Sequence, residues 1–394
     1  MLTSLRENID WVGYVDWTVR DFHSYHTILG ATYNAFLIRD EKTALIDTVK
    51  APHAERLLEN IAALKPDMKI DYVICNHAEP DHAGGLSQVL AAIPGATLIC
   101  NRKCHDILSA YNEDAGNWKV QIVADGETLS LGNRSLTFIN TPMVHWPESM
   151  FTYVPEERLL FSMDAFGQHL ATSQRFDDEV EIETAMEEAR KYYANIVMPY
   201  GRQVAKILDK AADLEIDMIA PSHGVIWRTG TRSILDLYRR WAEGAVRPKV
   251  LVLYDTMWQS TEKMAQAIVD GASLPGVEVK MLSIRTSDLT EIATEAMESA
   301  AIALGSSTLN SHAMPAVASV MNYLGGLRVK NKVGIAFGSA GWGPGAVKEI
   351  AAWMDKLSWE QVDTPIKSVY RPTPEIIEQC KEAGRKMAAM HTNG

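Results

Sequence analysis

Hydrophobic and polar positions change their pattern near residue 247. Beyond this point, short apolar runs alternate with stretches whose apolar residues recur every three or four positions, which predicts strands alternating with helices. The predicted strands are VLVLY (250–254), VEVKMLSI (277–284), AAIALGS (300–306), KVGIAFGS (332–339) and PIKSVY (365–370). Helices are predicted at 260–272, 315–327, 345–357 and 373–390. This alternation predicts an α/β fold with a doubly wound parallel sheet.

The earlier part of the chain has a less regular pattern. The run NAFLIRDEKTALIDTV (34–49) predicts a hairpin that turns at Asp40-Glu41. Further strands are predicted at 71–75, 97–100, 121–125, 136–141, 150–155, 158–164 and 217–222, and helices at 52–64 and 181–196. Strands flanked by helices in this order predict a mixed sheet or a sandwich.

The polar break Arg247-Pro248-Lys249 separates the two patterns, and the residue before a proline is disfavoured in a helix. We therefore predict two domains, residues 1–247 and 248–394. A chain of 394 residues is long enough for two domains that each have a core.

Composition and charge narrow the classes of function. The chain is 47% hydrophobic, yet no apolar run approaches the ~18 residues of a membrane span, and no signal peptide is evident. The four cysteines include no CxxC pair, which is typical of a reduced, cytoplasmic protein. A net charge of −12 argues against nucleic acid or an anionic membrane as a partner.

Residues that commonly bind metals follow four of the predicted strands. They are His77, Glu79, Asp81 and His82 after 71–75, His145 after 136–141, Asp164 at the end of 158–164, and His223 after 217–222. Loops at the same edge of a sheet lie together in space, so we expect a metal site there. Asp81 and His82 are predicted to open a helix that continues to residue 93. The other histidines, which are His23, His26, His53, His105, His312 and His391, are expected to be surface or hydrogen-bonded residues.

Seven ligands exceed the roughly four that one zinc ion takes, whereas two metals that share a carboxylate would use them all. Asp164 is the natural bridge because it is the lone carboxylate outside the HAEPDH segment (77–82). The order of these residues resembles that of the metallo-β-lactamase superfamily, in which hydrolases carry HxHxDH. Here Glu79 replaces a histidine. A mixed set of nitrogen and oxygen ligands suits iron better than hydrolytic zinc.

Three loops of the second part, each after a predicted strand, point to a bound phosphate and a planar ring. The first opens a helix and carries hydroxyl groups, as a phosphate site at a helix N-terminus does. No GxGxxG or Walker lysine is present, which disfavours a dinucleotide or triphosphate. The three loops together resemble the flavodoxin pattern, for which FMN is the expected ligand. The predicted cofactor-binding residues are Thr256, Met257, Trp258, Gln259, Ser260, Thr261, Ser306, Ser307, Thr308, Leu309, Asn310, Gly338, Ser339, Ala340, Gly341 and Trp342.

The combination of both halves resembles the flavodiiron proteins, also called A-type flavoproteins. The supporting segments include HWPESM (145–150), DAFGQHLATSQRF (164–176), SHGVIWR (222–228), YDTMWQSTEKMA (254–265) and FGSAGWGPG (337–345). The resemblance implies an N-terminal metallo-β-lactamase-like αββα sandwich and a C-terminal flavodoxin-like domain. It assigns His77, Glu79 and His145 to one iron, Asp81, His82 and His223 to the other, and Asp164 to both. One departure is Ser307, where a proline is expected.

The resemblance also implies the reaction and the partners. We expect reduction of dioxygen to water, or of nitric oxide to nitrous oxide, with electrons passing through FMN. The external donor would be rubredoxin or a reduced deazaflavin. The implied assembly is a head-to-tail homodimer, or a dimer of such dimers, in which the FMN of one chain approaches the irons of the other. Tyr193, His169 and Trp146 are candidates for orienting the ligands or supplying protons.

Two other functions are compatible with parts of the pattern. One is a zinc-dependent hydrolase of the metallo-β-lactamase type with a flavodoxin-like regulatory domain, against which Glu79 counts. The other is an electron carrier or redox sensor whose metal site is structural, against which the complete ligand set counts. The sequence does not decide between dioxygen and nitric oxide, because both need the same open metal site.

Overall fold

A computed structural model describes residues 2–343 and 345–390 of the chain. The chain divides into two compact units. The first comprises Met1–Tyr193 and Tyr200–Arg239, and the second comprises Ala194–Pro199 and Arg240–Gly394. His391 lies outside the described residues. Within the described part, no helix combines the length and apolar character needed to cross a membrane.

The first unit contains a seven-stranded mixed sheet. From edge to edge its strands are Thr3–Arg6, Ile9–Trp11, Phe36–Arg39, Thr43–Ile46, Tyr72–Ile74, Thr97–Cys100 and Val120–Ile122. The first four pair antiparallel and the last three continue in parallel. The predicted hairpin is the pair Phe36–Arg39 and Thr43–Ile46.

A five-stranded sheet packs against the first one. Its strands, in spatial order, are Thr128–Ser130, Ser135–Asn140, Met150–Val154, Leu159–Met163 and Met218–Pro221. Side chains of both sheets interdigitate in one apolar core, where the rings of Phe36 and Phe161 lie 5.0 Å apart. Two further pairs of short strands are Tyr14–Asp16 with Ala31–Tyr33 and Asp21–Phe22 with Tyr25–His26.

Helices cover the outer face of the seven-stranded sheet, where Leu57, Leu86 and Leu108 pack on the strand residues Leu37 and Leu45. The α-helices that begin in the first unit are Ala54–Leu64, Pro80–Ala83, Leu86–Ala92, Arg102–Tyr111, Ile182–Tyr192, Gly201–Lys210 and Thr231–Ala242. Short 3₁₀ turns lie at Ala51–His53, Ala115–Asn117, Pro155–Glu157, Asp177–Glu179 and Met198–Tyr200, and a π-helical turn lies at Tyr193–Val197.

The continuous helix predicted from Asp81 to residue 93 was wrong. The structure has a single turn, Pro80–Ala83, and a separate helix, Leu86–Ala92. The break coincides with Gly84 and Gly85, and the Gly85 N–H donates to the carbonyl oxygen of Val49 at 2.8 Å. This bond ties the metal-ligand segment to a neighbouring loop, which fixes its position.

The second unit is a parallel sheet with helices on both faces, as predicted. The spatial order is Glu278–Ser283, Arg247–Asp255, Ser299–Leu309 and Val333–Ala340, followed by an edge position shared by Glu360–Gln361 and Ile366–Val369. The pair His312–Ala313 adds an antiparallel extension to Ser299–Leu309. Helices Leu289–Glu298, Pro315–Gly326 and Gly345–Lys356 pack on one face, and Ser260–Ala272 and Pro374–Ala389 pack on the other.

Candidate metal centre and cofactor pocket

The structure brings all seven residues of the predicted metal site together at strand ends of the first unit. Among the described residues they form two groups whose nitrogen or oxygen atoms lie within 4.8 Å of one another. The groups are His77, Glu79, His145 and Asp164, and Asp81, His82 and His223. All are buried except His145, which is partly exposed.

The first group converges on one carboxylate oxygen of Asp164. Nε2 of His77 lies 3.1 Å and Nε2 of His145 lies 3.0 Å from Asp164 Oδ2. The same two nitrogens lie 3.2 and 3.3 Å from Glu79 Oε2. Two imidazole nitrogens and two carboxylate oxygens therefore face one small space.

The second group converges on the other oxygen of Asp164. Nε2 of His82 lies 3.0 Å and Nε2 of His223 lies 3.2 Å from Asp164 Oδ1. Asp81 completes this group, with Oδ2 3.2 Å from His223 Nε2 and Oδ1 3.4 Å from His82 Nε2. Asp164 thus presents one oxygen to each group, the geometry that a bridging carboxylate requires.

Although these atoms lie 3.0–3.4 Å from one another, several of them are buried and make no hydrogen bond of acceptable geometry in the described structure. They are both carboxylate oxygens of Asp81, Nε2 of His82 and Oδ1 of Asp164. Buried polar atoms are normally hydrogen-bonded, so an orphaned set aimed at one space indicates a bound ion. Burial opposes the charge on Asp164, but His82 and the other imidazoles hold the pKa of this carboxyl well below its usual range. The donor set therefore fits two cations.

A surrounding layer of contacts orients the imidazole rings. Nδ1 of His77 lies 2.8 Å from Oε1 of Glu148, whereas Nδ1 of His223 lies 2.7 Å from the carbonyl oxygen of Thr32. On the solvent side, Nε2 of His23 lies 3.1 Å from Oε1 of Glu79. No local sequence pattern points to these partners, because each is distant along the chain from the residue that it contacts.

The three residues predicted to surround the metals lie in different environments. The Trp146 ring is perpendicular to that of His77 at 5.2 Å, and the His169 ring lies 5.3 Å from that of His223. Tyr193 packs against Tyr238, with ring centroids 5.0 Å apart. The preceding residue, Tyr192, is buried with its ring 6.0 Å from that of His223, and burial together with the nearby Asp164 raises the pKa of Tyr192 well above the usual value.

The second unit has a pocket of about 700 Å³ at the carboxyl ends of its parallel strands. It is lined by residues of all three predicted loops, and the indoles of Trp258 and Trp342 are 87% and 96% exposed. Eleven of the predicted residues line it, namely Met257, Trp258, Ser260, Ser307, Thr308, Leu309, Asn310, Ser339, Ala340, Gly341 and Trp342. The volume of the pocket, the exposed rings of Trp258 and Trp342 and the N-terminus of helix Ser260–Ala272 fit a ligand that has a planar ring and a phosphate.

Five predicted cofactor residues do not line this pocket. They are Thr256, Gln259, Thr261, Ser306 and Gly338, of which Gly338 lines a smaller neighbouring cavity of about 270 Å³. The pocket also includes Ser311, Gly343, Tyr370 and Arg371. Tyr370 and Arg371 follow the last strand, so the rule that ligands bind at strand ends could have identified them.

Ser307, the departure from the expected proline, joins a cluster of hydroxyl groups below the first loop. Its Oγ lies 3.1 Å from Thr261 Oγ1, which in turn lies 3.0 Å from Ser339 Oγ. The N–H of Met257 also donates to Ser307 Oγ at 3.3 Å. The cluster connects all three loops, and a proline could not make these bonds.

Comparisons with known proteins agree with this arrangement. Residues 31–224 match the family model described as ODP family beta lactamase, and residues 252–389 match the flavodoxin model. A nitric oxide reductase of Moorella thermoacetica is 46% identical over 98% of both chains. The chain belongs to the flavodiiron protein family. The resemblance stated from the sequence motifs is thereby confirmed, together with the predicted fold class and the expectation of an enzyme.

Solved flavodiiron structures share the complete architecture. The flavodiiron protein from Giardia intestinalis superposes with a TM-score of 0.96 at 40% identity, covering 99% of this chain and 96% of that one. The rubredoxin oxygen:oxidoreductase of Desulfovibrio gigas superposes with a TM-score of 0.95 at 38% identity, covering 99% and 98%. Both similarities extend over both units of this flavodiiron protein.

Proposed function

We propose that this flavodiiron protein reduces dioxygen to water, nitric oxide to nitrous oxide, or both, at a non-haem diiron centre. The observation that carries the proposal is Asp164, whose two oxygens face two separate groups of ligand-type side chains. His77, Glu79 and His145 would hold one iron, and Asp81, His82 and His223 would hold the other. The relatives that carry the names nitric oxide reductase and rubredoxin oxygen:oxidoreductase support this reaction class.

The ligand chemistry favours iron over a pair of hydrolytic zinc ions. Each group offers two imidazoles, one carboxylate of its own and one oxygen of Asp164. Such mixed nitrogen and oxygen sets suit iron. Glu79 supplies an oxygen to the first group where hydrolases of the superfamily carry a histidine, so the zinc hydrolase is the less favoured function.

Two buried side chains beside the metal positions are held in their uncharged forms. Burial and Asp164 raise the pKa of Tyr192, so its hydroxyl stays neutral and can donate a hydrogen bond to that carboxylate. Burial and the neighbouring His223 lower the pKa of His169 well below its usual value, which keeps this imidazole uncharged. When bound, two ferrous ions and reduced FMN supply the four electrons that dioxygen reduction needs.

The pocket of the second unit would hold the FMN. Backbone N–H groups at the start of helix Ser260–Ala272 and the hydroxyl of Ser260 would bind its phosphate. The exposed faces of Trp258 and Trp342 and the ring of Tyr370 would contact its planar part. The chain's role here is to bind and orient the ring next to the solvent, from which a donor can approach.

Several finer features belong to the same proposal. The donor is an external protein of the rubredoxin type, with a reduced deazaflavin as the alternative, and the chain works in the cytoplasm. The assembly is a head-to-tail homodimer, and sedimentation of the FMN-loaded protein would measure the number of chains in it. We place the functional division at about residue 247, where strand Arg247–Asp255 begins; the two matched family models end at 224 and start at 252.

Gas consumption by iron- and FMN-loaded protein tests the proposal. With reduced rubredoxin as the donor, we expect consumption of dioxygen, of nitric oxide with release of nitrous oxide, or of both. Asp164→Asn should lower these rates by about 100-fold or more because both metal positions lose a charged ligand. The donor should still reduce the FMN of this variant at the normal rate. Normal reduction of FMN in the unmodified protein, with neither gas consumed, would contradict the proposal.

A further inference from the structure

The two metal groups have matched ligands but unmatched surroundings. Each has two histidines, one carboxylate of its own and one oxygen of Asp164. Behind the ring of His77 lies the carboxylate of Glu148, 2.8 Å from Nδ1, with both side chains fully buried. Behind the ring of His223 lies the uncharged carbonyl oxygen of Thr32, 2.7 Å from Nδ1. The group that contains His77 therefore has an additional buried carboxylate beside one of its ligand rings.

The fold keeps Glu148 at this position. Its Oε1 also accepts the Ala78 N–H at 3.1 Å, and its backbone carbonyl accepts Nδ2 of Asn101 at 2.6 Å. Asn101 caps the helix Arg102–Tyr111 by accepting the Cys104 N–H at 3.0 Å. The backbone of Glu148 is thus fixed next to a helix start, and its carboxylate cannot leave His77 without also losing the bond from the Ala78 N–H.

Other charged groups near the site differ from Glu148 in their contacts. Asp47 is buried and interacts electrostatically with His82 more than with His77, but its two oxygens accept hydrogen bonds from the backbone and side chain of Asn76. His23 contacts Glu79 from the solvent side, where its ring is 73% exposed and its effect is screened. Of these groups, Glu148 alone is hydrogen-bonded to the ring of a proposed metal ligand.

We propose that Glu148 is a positioning residue that makes the two metal positions unequal, so that the position of His77, Glu79 and His145 binds its metal more tightly and fills first. The inference rests on the two-metal site of the proposed function. A carboxylate bonded to the far nitrogen of a ligating histidine fixes the ring and increases its donor strength, and removing such a partner commonly costs 10–100-fold in metal affinity. A half-loaded chain then carries its metal at the His77 position.

Equilibrium dialysis of metal-free, FMN-loaded protein against buffered Zn²⁺ tests this inference without any dependence on redox activity. Glu148→Gln keeps an oxygen that can accept from His77 but removes the charge. We expect it to weaken the tighter of the two binding steps by about 10–100-fold and to change the weaker step less than about threefold. Glu188→Gln is the matched control because Glu188 is also buried and pairs with Lys191 instead of a metal ligand.

Variants with one metal position removed identify which position Glu148 acts on. In a His223→Ala background, the remaining position is that of His77, and adding Glu148→Gln should weaken Zn²⁺ binding by about 10–100-fold. In a His145→Ala background, the same addition should have little effect. Equal losses in both backgrounds, no loss in either, or the same loss with Glu188→Gln would overturn the inference. Because Zn²⁺ binding needs no electron transfer, failure of the proposed reaction would leave this result unaffected.

Discussion

Lys332 is a buried amine that lies away from both sites. It is 4% exposed, and its Nζ donates to the carbonyl oxygen of Met297 at 2.7 Å. Burial lowers the pKa of Lys332 from 10.5 to about 7, against the opposing attraction of Glu298. At pH values between about 7 and 10.5, Lys332 binds a proton in the unfolded chain but not in the native one. The free energy of unfolding should therefore rise as the pH increases through this range.

Lys332→Met should remove this dependence on pH. A pKa lowered from 10.5 to about 7 means that burying the charged amine costs the native state roughly 5 kcal/mol at low pH. The variant avoids this cost but loses about 1–3 kcal/mol because the Met297 carbonyl is left without its donor. We therefore expect the variant to be more stable than the wild type by about 2–4 kcal/mol at pH 6, with the difference shrinking toward pH 10. Chemical unfolding across this pH range measures it. A stabilisation that is the same at every pH would show that the native fold does not lower the pKa of Lys332.

The clustering of the seven ligand-type residues could be predicted because each lies close to the end of a strand. The seven ligand-type residues follow apolar runs within a few positions, so a local pattern identifies them. Glu148 and His77 are 71 positions apart, and no local pattern connects them. The different surroundings of Tyr192 and Tyr193 could not be predicted either, because adjacent residues of a helix point to different sides and the side that faces the metal-ligand groups depends on packing.

At the scale of elements, close contacts between strands limit which residues fit below the flavin pocket. A Cβ at Gly338 would lie 2.0 Å from the carbonyl oxygen of Ser306 on the neighbouring strand and 3.0 Å from Cγ2 of Val347. The first neighbour is backbone and cannot move without disturbing the sheet. Gly338 therefore serves the packing of strand against strand, although it does not line the main pocket.

Gly338→Ala should therefore destabilise the second unit and weaken its cofactor pocket. Overpacking of this kind costs about 1–3 kcal/mol, and the shifted strand carries Ser339, whose hydroxyl belongs to the cluster below the first loop. We expect a lower midpoint of thermal unfolding and weaker FMN binding. Gly326→Ala is the control, since nothing lies within 4 Å of its added Cβ. Equal effects of the two substitutions would contradict this account.

Long periodic elements were predictable, whereas short or weakly patterned ones were not. Strands of the parallel sheet and helix Ser260–Ala272 follow clear apolar runs or amphipathic patterns. The strands Thr3–Arg6 and Ile9–Trp11 are too short to show a period, and tertiary pairing determines them. Four helices were nevertheless missing from the predicted elements, namely Arg102–Tyr111, Gly201–Lys210, Thr231–Ala242 and Leu289–Glu298. The last has a clear cap in Asp288, whose side chain accepts the Glu291 N–H.

At the scale of the whole molecule, the chain joins a unit with two metal-ligand groups to a unit with a flavin-sized pocket. A metal pair without a flavin can give only the electrons stored in its two ions. A flavin without metals has no open coordination position for a diatomic gas. The four-electron reduction of dioxygen therefore requires both cofactors in the same preparation. The central claim of this account is that each chain holds two irons and one FMN.

The most direct measurement is the metal and flavin content of protein purified anaerobically after expression with iron and zinc both supplied. The ligand groups and the pocket predict two irons and one FMN per chain. Two zinc ions per chain under these conditions would contradict the account, because it would mean that Glu79 does not select iron, and the hydrolase would become the favoured function.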